Sequence, residues 1–497
     1  MDQLTLLSLI LLSTLLICLL FSFEFKRYIS KRLPPGPFVW PMIGTVFMSV
    51  SEAQDHIVLA DLARKYGPLM MVKFGLAPPL MVASNHAAAA EILKTHDVAC
   101  CGRDPPHSVK LPGYIEHSMV WGDCTEHWKM VRKIWRTELF SAKMVDSQAG
   151  IREEKVRELV GFLRGRGGEV VQLTEAIFGC IINVLGSIIF NKNVYDYEGR
   201  VDNEKGMKGM IRELIMLAAT PNLPDFFPVF GLLDLQGIGK RTGECVKRMN
   251  EYWGVIVKER RASKDHSRND FLDVLIQAGF TDAQIDALLL EIFGPGSDST
   301  SCTIEWAMSE LIKNPNKLLK LQEELNTVIG QNREVKESDL ENLPYLHACI
   351  KETLRLHPPV TFLLPHRATK TCEVMSYTIP KESGIFVNTY AIHRDPTVWE
   401  DSSMFKPERF LNSTVDYQGN DFQYIPFGAG RRMCPAHNMA SRTTRIMLAS
   451  LIHNFEWSLP NGMAPSELDM QDTFVMVLAK AVPLSVIARE RSVCVSS

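Results

Sequence analysis

Apolar residues recur at the helical spacing of about 3.6 residues along most of the chain. The spacing is clearest at 86–96, 345–357 and 439–455. Alternating, strand-like segments are fewer and come in short pairs, which are "LMMVKFG" with "PLMVAS", "EVMSYTIP" with "GIFVNTY", and "TFVMV" with "PLSVIA". The pattern predicts a mainly α-helical fold with small β-sheets.

A different pattern marks the N-terminus, where residues 4–23 form 20 consecutive positions without a charge. A helix of this length spans the roughly 30 Å hydrocarbon core of a bilayer. Four basic residues follow between 26 and 32, and they place the downstream chain on the cytoplasmic side. Residues 1–32 therefore predict a single transmembrane anchor. The alternative is a cleaved signal peptide, which would have a shorter apolar core with basic residues in front of it.

A proline-rich segment follows the anchor. Residues 33–41, "LPPGPFVWP", contain four prolines, which resist both helix and sheet. They predict a stiff hinge between the anchor and a single body formed by residues 42–497. Within that body the sequence shows no second linker and no internal repeat.

Composition narrows the choice of partners. The net charge of −3 gives the chain no basic bias, so nucleic acid is not a predicted partner. The eleven cysteines include no C-x-x-C pair and no framework spacing. This usage predicts reduced thiols facing the cytosol, with a chemical role for very few of them.

The segment "EIFGPGSDSTSCTIEW", residues 291–306, interrupts an otherwise apolar helical pattern. Pro295 removes one backbone donor and crowds the carbonyl four residues earlier, which costs a helix interior roughly 3 kcal/mol. Asp298 and several hydroxyl side chains follow immediately. We therefore expect a buried helix that is broken at the place where it carries an acid and hydroxyls.

A second unusual segment, residues 426–440, reads "PFGAGRRMCPAHNMA". Three small residues precede two arginines and Cys434, and a helical pattern starts after the cysteine. Backbone amides approach closely in such a loop, and a helix N-terminus favours negative charge. Both effects favour a Cys434 thiolate, which is the form that ligates metals. The alternative is a structural cysteine buried in a turn.

Four motifs decide between these interpretations, because all of them belong to the cytochrome P450 family. They are the haem signature at Phe427, Gly430, Arg432 and Cys434, Glu-x-x-Arg at Glu352 and Arg355, "PERF" at 407–410, and Trp-x-x-x-Arg at Trp128 and Arg132. The motifs occur in the family's order, so the chain resembles this family along nearly its whole length. It is most similar to the plant microsomal group that acts on terpenoids and alkaloids. Ala436 departs from the usual glycine, but its methyl is tolerated if φ is negative there.

The resemblance implies a cytochrome P450 fold behind the single transmembrane helix, with haem as the cofactor. Cys434 would be the axial thiolate, as is general for this family, and Phe427 would limit solvent access to it. The haem propionates would be buried anions that need charge-assisted donors. The resemblance assigns this role to Arg432, Arg132, Trp128 and His366. A solvated helix face is the alternative for Arg132.

Another of the family motifs implies a structural role. Glu352 and Arg355 lie three residues apart on one helix, so their side chains meet, and Arg409 is expected to join them. Such a buried ion network would hold the core beside the haem. Loss of one member would strand a buried charge and cost about 3–5 kcal/mol.

In the resembling fold, the helix that contains Pro295 crosses over the haem, and its distortion leaves room for dioxygen. The resemblance implies that Asp298, Ser299 and Thr300 relay protons to the oxygen. Serine replaces the usual threonine at 299, and it lacks the methyl that fixes the rotamer. Two outcomes stay open, which are hydroxylation of the substrate and oxidative phenol coupling without oxygen insertion.

The resemblance also implies an apolar cavity for a lipophilic substrate. Its expected lining residues are Gly294, Phe362, Leu363, Leu364, Phe474 and Val475. Glu291 lies eight residues before Ser299 and close to the same helix face. Two interpretations of Glu291 stay open, which are pairing with a substrate ammonium group and accepting backbone N–H groups from the loop at 107–121.

These implications together describe a haem-thiolate monooxygenase of plant specialised metabolism, on the cytoplasmic side of the endoplasmic reticulum membrane. It would use dioxygen and NADPH electrons, delivered by a flavoprotein reductase, to oxidise an alkaloid. Lys129, Lys133 and Arg136 form a basic stripe that is either the reductase-docking surface or an ordinary solvated face. The alternatives are a monoterpenoid or sesquiterpenoid hydroxylase, a relative that uses peroxide without a reductase, and a non-catalytic haem-binding scaffold.

Overall fold

A computed structural model describes residues 32–39, 44, 55–198, 206–231, 233–263, 270–330 and 333–491. The predicted membrane span at 4–23 lies outside these residues, as do residues 40 and 41 of the predicted hinge. One described helix, Leu173–Phe190, is long and apolar enough to cross a membrane, but 89% of it is buried inside the protein. This helix therefore belongs to the core.

The described residues are mainly helical, as the sequence pattern predicts. The α-helices are α1 (Asp55–Tyr66), α2 (His86–Ala90), α3 (Asp97–Cys100), α4 (Glu126–Ile134), α5 (Ala142–Ser147), α6 (Ala149–Gly165), α7 (Leu173–Phe190), α8 (Met207–Ala219), α9 (Leu223–Phe226), α10 (Ile238–Ala262), α11 (Phe271–Gln277), α12 (Asp282–Lys313), α13 (Pro315–Ile329), α14 (Pro344–Leu356), α15 (Thr389–Ile392) and α16 (His437–Asn454). The periodic segments at 345–357 and 439–455 are confirmed as α14 and α16. The segment at 86–96 is divided, because α2 gives way to a π-helical turn at Glu91–Thr95.

Short strands form four small sheets. The strands are β1 (Leu69–Val72), β2 (Leu80–Ala83), β3 (Gly102–Arg103), β4 (Val170–Gln172), β5 (His366–Arg367), β6 (Cys372–Val374), β7 (Tyr377–Ile379), β8 (Gly384–Val387), β9 (Phe455–Ser458), β10 (Asp472–Val475), β11 (Val477–Lys480) and β12 (Ser485–Glu490). The largest sheet has the order β1-β2-β8-β5-β3, and β4-β12-β9 form a second. β6 pairs with β7, and β10 pairs with β11.

Of the three predicted strand pairs, the pair of β1 and β2 is confirmed, in antiparallel register. The other two predictions are wrong, because the first segment of each folds back on itself as the hairpins β6–β7 and β10–β11. Their predicted partners pair elsewhere, β8 with β2 and β5, and β12 with β4 and β9. The turns that reverse the chain use positive φ at Met375, Ser376 and Met476, and of these residues only the serine is a common turn residue.

Helix α12 passes through the middle of the fold and packs against α7, α14, α16 and β11. It continues without interruption through Pro295, so the predicted break is wrong. The proline removes a single backbone donor, whereas packing against several elements stabilises the whole length of the helix. The Ser299 hydroxyl also donates to the Pro295 carbonyl at 2.9 Å.

The described part of the predicted hinge, residues 33–39, lies against the body, as does Arg32, the last residue of the predicted anchor. The Met71 N–H donates to the Pro35 carbonyl at 2.8 Å, and the Thr378 N–H donates to the Arg32 carbonyl at 2.7 Å. These bonds join the segment to β1 and β7. The described residues of the predicted hinge are therefore attached to the body.

Candidate active site

Glycine shapes the loop that precedes α16. Gly428 and Gly430 have φ of 73° and 66°, a region that glycine adopts without strain. A Cβ at Gly430 would collide with the Leu93 carbonyl oxygen. The loop then closes on itself, since the Cys434 N–H donates to the Phe427 carbonyl at 2.9 Å. Phe427 and Cys434 both line the central cavity of the protein.

Cys434 is a free thiol on the wall of this cavity. Burial raises its pKa, and the Ala436 N–H and the Arg132 guanidinium oppose this increase only in part. The loop N–H thus favours the thiolate as expected, but burial outweighs it, and a bound metal ion would be needed to hold the sulfur deprotonated. The φ of Ala436 is −93°, which confirms that its methyl is tolerated.

Three arginines, Arg103, Arg132 and Arg432, line the same cavity. Arg103 was not predicted as a site residue, since no periodic pattern or family motif marks it. All side-chain hydrogen bonds of the three arginines go to backbone carbonyls, which are those of Val120, Leu364, Met433, Cys101, Met119 and Gly122. Among the residues that the structure describes, no carboxylate forms an ion pair with any of them.

The charges of these arginines are poorly compensated. Burial lowers the pKa of all three guanidinium groups. Burial and the nearby charge of Arg432 lower the pKa of Arg103 to about 9. Arg132 and Arg432 also lie over the Trp128 ring, at 5.7 Å and 4.5 Å from its centre. Neither this ring nor a carbonyl oxygen carries a full negative charge, and a buried cation without one is costly, so this cluster is suited to an anionic ligand.

Two predicted haem contacts are engaged elsewhere. The Trp128 indole N–H donates to the Met119 carbonyl at 2.9 Å. The Nδ1 atom of His366 lies 2.9 Å from the Cys100 carbonyl oxygen, and burial lowers the pKa of the ring well below its ordinary value. The ring is therefore neutral with its proton on Nδ1, which leaves Nε2 as an acceptor. Neither side chain is the charge-assisted donor that the resemblance implies.

The donor set nevertheless fits a haem group. Cys434 offers a sulfur ligand to iron, and Arg103, Arg132 and Arg432 offer charge-assisted donors to two carboxylates. Both sets line one cavity of about 340 Å³. Arg132 also lies close enough to Cys434 to influence its pKa, so the sulfur and the cationic cluster are neighbours.

Helix α12 contributes the predicted catalytic residues to the cavity wall, namely Asp298, Ser299 and Thr300. Burial raises the pKa of Asp298 to about 6, although the Arg212 guanidinium opposes this increase. The Ser299 and Thr300 hydroxyls donate to carbonyls four residues earlier, at 2.9 Å and 3.3 Å. The acid can thus exchange a proton near neutral pH, while both hydroxyls are bonded within the helix.

Glu291 is 4% exposed, and its carboxylate binds the loop that precedes α4. It accepts hydrogen bonds from the Met119 and Val120 N–H groups, at 2.9 Å and 3.1 Å, and from the Tyr114 and Ser118 hydroxyls. Burial still raises its pKa to about 7, because no cation of the described chain pairs with it. These contacts favour the interpretation in which Glu291 holds the loop.

The remaining wall of the cavity is mostly apolar. Of the predicted substrate residues, Gly294, Leu363 and Leu364 line it, as does Glu291. Several other lining residues were not predicted, including Val109, Leu111, Trp121, Val360, Met476 and Val477. Such a wall is typical of a site for a lipophilic molecule.

Phe362, Phe474 and Val475 are not part of this wall, so their prediction is wrong. Phe362 belongs to a separate cluster, in which its ring lies 5.1 Å from Phe386 and 5.5 Å from Phe474. The chain turns at Leu363 and Met476, which have φ of 52° and 60°, so adjacent residues do not simply alternate between the cavity and the cluster. The sequence identified the correct segments but not the turns that decide which of their residues face the cavity.

The predicted ion network is present in the structure. Arg355 donates to both carboxylate oxygens of Glu352, at 2.7 Å and 2.9 Å, and Arg409 donates to one of them at 3.0 Å. The Lys406 N–H adds a fourth bond to Glu352 at 2.8 Å. Glu352 and Arg355 are completely buried, and their charges compensate each other within the chain.

Comparison with known proteins agrees with this geometry. The Cytochrome P450 family profile matches residues 34–487. Corytuberine synthase from Coptis japonica is 48% identical over 93% of this chain and 95% of its own length. The probable (S)-N-methylcoclaurine 3'-hydroxylase isozyme 2 from the same organism is 48% identical over 93% of this chain and 94% of its own length. Geraniol 8-hydroxylase from Catharanthus roseus is 40% identical over 95% of this chain and 98% of its own length. The chain therefore belongs to the cytochrome P450 family and is a haem-binding monooxygenase.

Proposed function

We propose that the protein is a monooxygenase of plant specialised metabolism that oxidises an alkaloid of the benzylisoquinoline type. The observation that carries this proposal is the 48% identity, over 93% of the chain, to proteins named for corytuberine and N-methylcoclaurine. The apolar wall that includes Leu363 and Leu364 supports a lipophilic substrate.

Haem supplies the oxygen-activating chemistry when it is bound. Cys434 would hold the haem iron, and the guanidinium groups of Arg103, Arg132 and Arg432 would bind the two propionate carboxylates of the haem. The haem would thus be bound both through its metal and through its propionates. The arginines would also gain the negative charge that the described chain does not offer them.

Asp298 is the proposed proton donor of the site. Its pKa of about 6 allows the carboxyl oxygen to take up a proton and release it near neutral pH. The Ser299 hydroxyl would have to turn away from the Pro295 carbonyl to pass this proton onward. The rotation is open to serine, which has no branching methyl at Cβ.

Replacing Asp298 with asparagine tests this role. We expect turnover to fall by roughly 100-fold or more, with an unchanged haem content and a larger fraction of NADPH electrons lost as peroxide. Asp298→Glu, which keeps the acid, is the matched control and should recover part of the turnover. Full activity of Asp298→Asn would contradict the proposal.

Hydroxylation and phenol coupling remain the two proposed outcomes. Turnover under isotopically labelled dioxygen separates them, because only hydroxylation places label in the product. An unlabelled product that has lost two hydrogens would identify coupling.

The substrate class is tested with microsomes that contain the protein and an NADPH-dependent flavoprotein reductase. We expect product from benzylisoquinoline alkaloids and none from tropane-type esters or monoterpenols. Turnover of geraniol instead would favour the second candidate, a terpenoid hydroxylase, which the 40% identity to geraniol 8-hydroxylase supports. Product formed with peroxide and without reductase would indicate an enzyme that uses peroxide in place of dioxygen and NADPH. No turnover under any of these conditions would indicate a non-catalytic haem-binding scaffold.

We further propose that residues 1–32 anchor the protein in the endoplasmic reticulum membrane, with the body on the cytoplasmic side. The uncharged segment at 4–23 supports this proposal. Deleting residues 1–32 should reduce membrane association while haem binding is retained. Loss of haem from a folded truncated protein would contradict this separation.

The proposed docking surface for the reductase is the stripe of Lys129, Lys133 and Arg136. These side chains are exposed on α4 and the turn after it, next to Arg132 of the cavity. Lys129 already pairs with Glu126 at 2.6 Å, so we assign the main attraction to the other two. Charge reversal of Lys133 and Arg136 should slow reductase-supported turnover at low salt, mainly through the association rate. Unchanged turnover would mean that the stripe is an ordinary solvated helix face and not a docking surface.

A further inference from the structure

Two cysteines that are distant in sequence meet beside the arginine cluster. Cys100 ends α3 and Cys372 begins β6, and their sulfur atoms are 3.9 Å apart. Cys100 is 1% exposed, whereas Cys372 is half-buried. The mechanism proposed above uses neither thiol.

The backbones that carry these cysteines are already held together. Gly102 lies opposite Arg367 in the antiparallel pair of β3 and β5, and the Thr369 N–H donates to the Ala99 carbonyl at 2.8 Å. The two sulfurs therefore lie on segments that cannot drift apart. They need only approach to the length of about 2 Å that a disulfide requires.

The two thiols are suited to different roles. The hydrogen bond from the Cys100 thiol, together with the charge of Lys370, lowers the pKa of Cys372. The same hydrogen bond and burial raise the pKa of Cys100. The accessible thiol is therefore the better nucleophile, and the buried thiol is placed to attack it in turn.

We propose that Cys100 and Cys372 form a reversible disulfide in response to hydrogen peroxide. The Cys372 thiolate attacks one peroxide oxygen, the O–O bond breaks, and the other oxygen leaves with a proton as water. Cys372 is then a sulfenic acid. The Cys100 thiol attacks its sulfur, the S–S bond forms, and the sulfenic oxygen leaves as a second water. Two thiols and one peroxide thus give one disulfide and two waters.

The disulfide would act on the haem edge through the backbone. The Cys100 carbonyl oxygen lies 2.9 Å from His366 Nδ1, and the next carbonyl, of Cys101, accepts a bond from Arg432 Nε at 2.9 Å. Drawing the Cys100 sulfur towards β6 shifts both carbonyls and loosens Arg432. We expect haem to leave the disulfide form about two- to tenfold faster, as for the loss of one hydrogen bond. This consequence rests on the proposed role of Arg432.

The test uses the full-length, haem-loaded protein without substrate. It is treated with graded hydrogen peroxide, free thiols are blocked with N-ethylmaleimide, and peptides are analysed without reduction by mass spectrometry. We expect a peptide that joins Cys100 to Cys372 and disappears with dithiothreitol. Haem transfer to an acceptor protein should accelerate in parallel and recover after reduction.

Two variants make the result specific. Cys372→Ser should lose both the joined peptide and the peroxide effect on haem transfer. Cys245→Ser is the control, because Cys245 lies on α10 and its thiol donates to the Met210 carbonyl, so its loss leaves both the pair and the Cys101 carbonyl intact. Absence of the joined peptide at peroxide doses that oxidise other thiols would overturn the disulfide. The same haem loss in Cys372→Ser would overturn its link to the haem edge. Neither result depends on the identity of the alkaloid.

Discussion

Two largely buried groups of arginines differ in how the chain compensates their charges. Arg355 and Arg409 share the carboxylate of Glu352. Arg103 and Arg432, by contrast, donate their side-chain hydrogen bonds to backbone carbonyls only. Both groups have hydrogen-bond partners, but only the first contains a carboxylate, which offsets one of its two positive charges.

This difference separates a structural cluster from a binding site. A carbonyl oxygen satisfies a donor, but it carries only a partial charge and leaves most of a buried cation uncompensated. The Glu352 group therefore stabilises the fold by itself. The Arg103 and Arg432 group becomes favourable when an anion binds, which is what the propionates of haem provide. Counting charges distinguishes the two where counting hydrogen bonds does not.

The largest effect is expected from Glu352→Gln. The change keeps the size of the side chain but leaves Arg355 and Arg409 buried without an anion, so the free energy of unfolding should fall by about 3–5 kcal/mol. Thermal or urea unfolding measures this loss, with and without haem.

The matched control for this prediction is Glu334→Gln. Glu334 pairs with Arg157 at 3.0 Å on the surface, where an ion pair contributes about 0–1 kcal/mol. Equal stability losses in the two variants would contradict the distinction between buried and exposed pairs.

Arg432→Met should separate binding from stability. Haem affinity should fall by about 10- to 100-fold, because a charge-assisted hydrogen bond to the ligand is lost. The stability of the haem-free protein should change much less than in Glu352→Gln, since relief from burying a charge offsets the lost carbonyl bonds. Absorbance titration with haem and unfolding of the haem-free protein give the two quantities.

Arg431→Met is the control for this second prediction. Arg431 is the next residue in the chain, but it pairs with Asp97 at 2.6 Å and is exposed. Its replacement should leave haem affinity nearly unchanged. If Arg432→Met destabilised the haem-free protein as much as Glu352→Gln, the cluster would be structural and our comparison would be wrong.

The sequence predicted the features that depend on short-range geometry. Glu352 and Arg355 meet because they are three residues apart on one helix. The helices α14 and α16 follow from long periodic segments, and the glycines before Cys434 predict a tight loop. These features could be predicted because each is determined within a few residues.

The sequence failed where distant segments decide the structure. Arg103 is buried because β3 pairs with β5, more than 260 residues away, and nothing near Arg103 marks that pairing. Pro295 remains helical because packing around α12 outweighs its local preference. For Phe362, the choice of cavity or core depends on the turn at Leu363, whose φ is 52°, and no local pattern marks that turn.

Glu291 is the intermediate case in this comparison and gives the smallest predicted effect. Its buried carboxylate has four hydrogen-bond donors but no cation, and burial raises its pKa from 4.5 to about 7. Between these two pH values the folded state binds more protons at Glu291 than the unfolded state does. The contribution of Glu291 to the stability therefore falls as the pH rises from about 4.5 to about 7, and it stays low above that.

Glu291→Gln removes this titration while its amide oxygen can still accept a loop N–H. The variant should gain stability relative to the wild type as the pH rises through this window, and the difference should level off above it. Melting temperatures of both proteins across the window measure the difference, in which the other titrating groups cancel. A difference that does not depend on pH would mean that Glu291 is not a desolvated carboxylate.

The same pair of proteins also tests substrate recognition, because a role in holding the loop weakens binding of a basic alkaloid and of its neutral analogue equally. A selective loss for the basic alkaloid would show instead that Glu291 pairs with its ammonium group.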